Sequence, residues 1–114
     1  MPPASRGDLV AIDFFYTDRD KTKRRPALVL SSGAYLAGRE EIVLAGLTTN
    51  VHRQLPGDTH LREWESAGLP RPSVVTGIIQ TAKQSAVLKV VGRLSPGDFQ
   101  AVEANLRSAL GFRA

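Results

Sequence analysis

Two places in this chain carry groups that could handle a phosphate. Arg25 stands immediately before Pro26 and ends a basic run made of Lys21, Lys23, Arg24 and Arg25. Proline biases the residue before it toward extended backbone, so Arg25 belongs at a defined loop–strand junction. A guanidinium held there can grip a phosphate with two parallel hydrogen bonds. A solvated charge run is the competing use of the same residues. Thr48-Thr49-Asn50 closes an apolar stretch. Hydroxyls and an amide at a strand end can bond a phosphate or a base, and they also serve ordinary turns.

Other titratable groups are scattered. His52 and His60 are the two histidines, either of which could act as a general acid or base, but neither belongs to a constellation. Asp8, Asp13, Asp18 and Asp20 surround one apolar segment, and Asp18 and Asp20 alternate with Arg19 and Lys21 as in a solvated loop. Trp64 is the single tryptophan, suited to packing or to stacking a base. No phosphate-cradling glycine loop, His-Glu metal motif or Gly-x-Ser-x-Gly elbow is present. With no cysteine, disulfides, thiolate nucleophiles and sulfur-ligated zinc are excluded. Two histidines without nearby acids make a poor metal site, so no metal or other cofactor is expected.

The elements that must position these groups are those of one small domain, residues 1–114. Its core is modest, so a site should be a shallow groove or lie at a subunit boundary. Net charge is +4 and the pI about 10, a balance that favours polyanions. No run has the length of a signal peptide's apolar region or of a membrane span. The expectation is a soluble cytoplasmic protein.

Alternation predicts a strand at Leu9–Phe15, and short apolar runs rich in Val, Ile and Leu predict strands at Ala27–Ser31, Glu41–Thr48, Ser73–Ile79 and Val87–Arg93. Tyr16–Arg24 is polar and reads as a loop. Residues 49–72 read as loop-rich, with a possible extended piece near Thr59–Leu61 and a helical turn over Trp64–Ala67 stopped at Gly68. Ser95-Pro96-Gly97-Asp98 is a helix start, and Phe99, Val102, Leu106 and Leu110 form the apolar stripe that follows, with Gly111 as the cap. The fold class is mainly β: an antiparallel barrel or half-barrel with a C-terminal amphipathic helix against it.

In this order, several segments resemble the MazF/PemK-type toxins of bacterial type II toxin–antitoxin pairs. They are Arg6-Gly7-Asp8-Leu9-Val10, Phe15-Tyr16-Thr17-Asp18 and Arg25-Pro26-Ala27-Leu28-Val29-Leu30-Ser31. Then follow Ala45-Gly46-Leu47-Thr48-Thr49-Asn50, Gly68-Leu69-Pro70-Arg71-Pro72-Ser73-Val74-Val75 and Gly92-Arg93-Leu94-Ser95. No single piece is specific; the series is. The resemblance implies an SH3-like barrel, a symmetric homodimer and metal-independent, sequence-selective cleavage of single-stranded RNA by 2′-hydroxyl attack. It also implies a cognate antitoxin that blocks the groove.

By the same resemblance, Arg25 and Thr48 are the catalytic residues. Arg25 would stabilise charge on the phosphoryl oxygens and Thr48 would position the phosphate or the 2′-hydroxyl. Lys21, Lys23, Arg24, Thr49, Asn50, Thr17, Asp18 and Gln80 would contact substrate. Two departures stand out. Some relatives carry an arginine and an aspartate, two apart, where this chain has Thr76-Gly77-Ile78; and an arginine common before a threonine downstream is Gln80 here, before Thr81. The general base is therefore open, with Asp18, Asp20 and His52 as candidates. Two alternatives follow: a binding module of the same fold with weakened chemistry, or a gyrase-inhibiting toxin. The last needs a tryptophan-bearing tail, whereas this chain ends Leu110-Gly111-Phe112-Arg113-Ala114.

Overall fold

The computed structural model describes residues 4–17 and 20–113. Its strands are β1 (Asp8–Tyr16), β2 (Lys21–Val29), β3 (Glu41–Thr48), β4 (Thr59–His60), β5 (Val74–Lys83) and β6 (Lys89–Arg93), and its helices are α1 (Gly33–Gly38) and α2 (Pro96–Leu110). The strands form one antiparallel sheet in the order β4-β5-β3-β2-β1-β6. The expected strands are present.

Two elements differ from the sequence reading. Lys21–Arg24 is not loop but the first half of β2, because Tyr16, Phe15, Phe14 and Asp13 pair with Lys21, Thr22, Lys23 and Arg24 in turn. Cross-strand bonding outweighs the low strand propensity of a basic run. The extended piece expected near Thr59–Leu61 is the short strand β4, which pairs Thr59 and His60 with Val75 and Val74. Helix α1 was not expected at all. It has glycine at both ends and buries none of its side chains, so it carries no apolar period; its one signal is Ser32, whose Oγ accepts the Tyr35 N–H at 3.1 Å.

The sheet curls until its first strand meets its fifth. The outer half of the β1–β2 hairpin bends over β3, and there the Phe14 ring lies on Gly46: a Cβ at Gly46 would stand 2.7 Å from that ring. The Tyr16 hydroxyl donates to the Leu47 carbonyl at 2.6 Å, and the Phe15 N–H donates to Gln80 Oε1 on β5 at 3.0 Å. The inner face of this half-barrel is packed by Val10, Ile12, Phe14, Val29, Ile42 and Leu44.

The outer face carries a second core. Leu9, Leu28, Leu47 and Val75 from the sheet meet Leu61 and Leu69 from the long connection and Val102 and Leu106 from α2. Each fully buried aliphatic side chain stabilises by about 1.5–3 kcal/mol relative to exposure. Helix α2 begins as expected, with Ser95 Oγ accepting the Asp98 N–H at 3.2 Å and Pro96 in its first turn, and ends at Gly111 in the left-handed region.

Asp98 does more than the sequence suggests. It is buried, and its carboxylate accepts the N–H groups of Arg62, at 3.1 Å, and Glu63, at 2.9 Å. The helix thereby caps the start of the turn that runs through Trp64. Gly68, at φ +91°, closes that turn, with the Leu69 N–H donating to the Trp64 carbonyl at 3.1 Å. The turn rests on β6 so closely that a Cβ at Gly92 would be 1.8 Å from the Ala67 carbonyl oxygen. Leu69 and the segment after it are thus placed from both sides.

Candidate active site

Strands β2 and β3 pair over Ala27–Gly46, Leu28–Ala45 and Val29–Leu44. Continuing that register would set Pro26 opposite Leu47 and Arg25 opposite Thr48, but no pairing extends that far. Pro26 has no N–H to give. The Leu47 carbonyl takes the Tyr16 hydroxyl instead. A groove of about 320 Å³ opens at this point. Arg25 and Pro26 line it from β2, and Leu47, Thr48 and Thr49 line it from the end of β3. Leu69, Pro70, Arg71 and Ser73 line it from the segment leading into β5.

Arg25 is half-buried, and its side chain forms no hydrogen bond or ion pair among the described residues. Its guanidinium therefore has all of its N–H donors to offer to a ligand. Thr48 is 8 % exposed, and its Oγ1 accepts the Asn50 N–H at 3.2 Å. That bond orients the hydroxyl oxygen and leaves its proton free to donate. Two arginines line the groove, and no aspartate, glutamate or histidine does. Such an arrangement suits an anion and stabilises charge that develops on one.

The remaining expected substrate contacts are dispersed. Alternation along β2 sends Lys21, Lys23 and Arg25 to one face and Arg24 to the other. Arg24 pairs with Asp13, its cross-strand neighbour, at 3.0 Å, and the hydrogen bond and charge of that carboxylate raise the guanidinium's pKa further. Lys21 is exposed and Lys23 half-buried; neither lines the groove. Thr17 lies in the exposed turn after β1. Asn50 is exposed and its Oδ1 accepts the His52 N–H at 3.2 Å. Gln80 sits on β5, bonded to the β1 backbone. Asp18 lies outside the described residues.

Of the candidate general bases, Asp20 is exposed at the hairpin end with φ +51°, and His52 is exposed in the connection after β3. Neither lines the groove. His60 bonds the Arg53 carbonyl through Nε2 at 3.0 Å. Among the described residues no cluster of three His, Asp or Glu side chains converges as metal ligands would.

Positions 76–78 are structural in this chain. Thr76 is fully buried; its hydroxyl donates to the Gly46 carbonyl at 2.7 Å and accepts the Ile78 N–H at 3.1 Å. Those bonds span the irregularity in the β3–β5 register between Ala45 and Leu47. Gly77 lies under the connection that carries Asp58: its N–H donates to Asp58 Oδ1 at 2.9 Å, and a Cβ there would be 2.8 Å from the Pro56 carbonyl oxygen. The Asp58 side chain is itself buried and paired with Arg53 at 2.8 Å.

Arg71 and Ser73 were missed as groove residues. One signal was present in the sequence: Arg71 precedes Pro72 as Arg25 precedes Pro26. Nothing local says that the two dipeptides meet.

A family model described as a PemK-like, MazF-like toxin of type II toxin–antitoxin systems matches residues 5–110. No curated protein sequence matches. Among solved structures, an endoribonuclease from Mycobacterial species superposes with a TM-score of 0.78 at 22% identity, over 100% of this chain and 97% of that one. An endoribonuclease bound to its cognate antitoxin, also from Mycobacterial species, gives 0.79 at 22% identity over 97% and 98%. MazF from Deinococcus radiodurans gives 0.79 at 21% identity over 98% and 100%. At these identities the likeness establishes the fold: a curled antiparallel half-barrel with a C-terminal helix.

Proposed function

Since this chain belongs to the family of PemK-like, MazF-like toxins of type II toxin–antitoxin systems, we propose that it is a metal-independent endoribonuclease that cuts single-stranded RNA at the groove between β2 and β3. The observation that carries this reading is the meeting of Arg25 and Thr48 in a groove lined by no carboxylate. Cleavage by 2′-hydroxyl attack places extra negative charge on the phosphoryl oxygens, and Arg25 is the group positioned to stabilise it. Its own pKa is too high for it to serve as a simple acid. Thr48 donates its free proton to a phosphoryl oxygen and so holds the phosphate against Arg25.

The chain acts as one domain, as a homodimer in the cytoplasm, and is held inactive by a cognate antitoxin that occupies the groove. A mycobacterial relative solved in complex with its cognate antitoxin supports an antitoxin as partner. No helix among the described residues is long and apolar enough to cross a membrane.

A second reading has its own observation. No carboxylate or imidazole lines the groove to act as general base, and Thr76 and Ile78 stand where some relatives carry an acid–base pair. A binding module of the same fold would look like this. Purified protein incubated with a long single-stranded RNA in EDTA separates the two. The nuclease leaves discrete fragments ending in cyclic phosphate, and Arg25→Ala removes them. Binding without fragments at any enzyme concentration supports the module instead.

A further inference from the structure

We propose that Arg71 is a second phosphate-binding residue, which holds the RNA backbone phosphate next to the one gripped by Arg25. This rests on the reading of the groove as an RNA site. Strand β3 lies between β2 and β5 in the sheet, so Thr48 sits centrally, with Arg25 on one flank and the segment entering β5 on the other. The two guanidiniums therefore approach the groove from opposite sides.

Arg71 is built to stay in place. Pro70 and Pro72 bracket it, and each fixes its own φ; Pro72 also restrains Arg71 to extended backbone. The Ser73 hydroxyl donates to the Arg71 carbonyl at 2.9 Å. The Ser73 carbonyl in turn accepts the Leu61 N–H at 3.1 Å, tying the segment to the chain that Asp98 caps. Yet the Arg71 side chain is exposed and, among the described residues, forms no hydrogen bond or ion pair. A rigid backbone beneath an unengaged guanidinium reduces the ordering cost of binding an anion.

The groove, at about 320 Å³, has room for more than one phosphoryl group. Leu69 and Pro70 add an apolar stretch beside Arg71, against which a sugar or base can lie. A single strand of polynucleotide offers this combination: successive phosphates with apolar faces between them. Arg71 touches a phosphate that does not react, so it acts on binding and positioning and leaves the chemical step to Arg25.

The test uses the full chain and a fluorescein-labelled 2′-O-methyl RNA oligonucleotide, which binds but lacks the attacking hydroxyl. Anisotropy titrations over a range of salt compare wild type with Arg71→Ala, Arg71→Lys and Lys89→Ala. Lys89 is an exposed charge on the far edge strand β6 and controls for lost net charge. Arg71→Ala is expected to bind about tenfold more weakly and to lower the slope of log K against log salt by about 0.7, the value for one single-strand phosphate contact. Arg71→Lys retains the slope, and Lys89→Ala changes neither quantity. With cleavable RNA, Arg71→Ala raises KM and holds kcat within about twofold.

An unchanged salt slope in a folded Arg71→Ala protein overturns the assignment. So does a loss of kcat at constant KM, and so does a wild-type protein that binds no oligonucleotide. Binding by the wild type without cleavage defeats the nuclease reading alone, and the slope then still decides the role of Arg71.

Discussion

Arg25 and Thr48 occupy the positions at which β2 and β3 would next pair, and the strands part there instead. Ala27 is the last residue of β2 to pair with β3, and Pro26 follows it outward with no N–H to offer. The opening in the sheet and its chemistry therefore share one origin. The proline that stops the pairing also fixes the backbone of the arginine before it. The threonine left without a partner on β2 keeps a hydroxyl proton to donate.

That relationship predicts a loss of activity without a loss of stability. Arg25→Ala should slow RNA cleavage by about 10²–10³-fold, as removal of a single charge-stabilising donor does. Since the Arg25 side chain makes no hydrogen bond or ion pair among the described residues, unfolding stability should change by no more than about 0.5 kcal/mol. Cleavage rates and a denaturant melt on the same preparation check both. A folded Arg25→Ala protein of full activity refutes the assignment.

At Thr48 the hydroxyl and the shape can be separated. Thr48→Ser keeps the oxygen that accepts the Asn50 N–H, and Thr48→Val removes it. Thr48→Val should lose cleavage and about 0.5–1.5 kcal/mol of stability, while Thr48→Ser should retain most of both. Equal activity of the two variants in a gel assay would exclude a role for the hydroxyl.

Restoring the arginine and aspartate of some relatives should fail. Thr76 is fully buried and Ile78 packs against the inner core. Thr76→Arg with Ile78→Asp buries an unpaired guanidinium beside Gly46 and puts a carboxylate against the inner core, and the expected product is insoluble or unfolded protein. The milder Thr76→Val leaves the Gly46 carbonyl and the Ile78 N–H without their side-chain partner, at a cost of about 1–3 kcal/mol. Thermal melts would show either. A stable, more active double variant would contradict the structural role assigned to these positions.

Asp98 gives a test of how the groove is held. Asp98→Ala removes the acceptor for the Arg62 and Glu63 N–H groups. A loss of about 1.5–3 kcal/mol is expected, because bonds to a charged group are the stronger kind. Amide exchange should rise in residues 62–73 more than in β1 or β2, since that segment supplies one wall of the groove. Uniform exchange across the chain would show that Asp98 stabilises the fold as a whole instead.

The pH response has one clear sign. The Arg39 guanidinium, through its hydrogen bond and then its charge, holds the Glu41 carboxyl below its ordinary value of 4.5. A lowered folded pKa means that the ionised pair stabilises above the unfolded value, and that this contribution disappears as pH falls through the folded one. The effect is small because the pair is exposed to solvent. Chemical-shift titration should place the Glu41 midpoint below that of a free glutamate, and Arg39→Ala should return it. No movement in the variant would contradict the pairing.

By itself the sequence determined the elements whose signals are local. Ser95, Pro96 and Asp98 lie within one helical turn of each other, so the start of α2 was legible in full, as was its end at Gly111. Short runs of Val, Ile and Leu marked the strands, and the ordered series of short segments pointed to Arg25 and Thr48. Tertiary structure alone decided which basic residues face the groove. Lys21–Arg24 became a strand because β1 pairs with it, and the period-two alternation of that strand turned Arg24 to Asp13 while Arg25 faced the opening. It decided too that Arg71 lines the same groove as Arg25, and that Asp98 caps a turn far from it in the chain. The reason is distance along the chain: caps and periods act between neighbours, whereas the register of paired strands is set by hydrogen bonds and burial summed over the whole sheet.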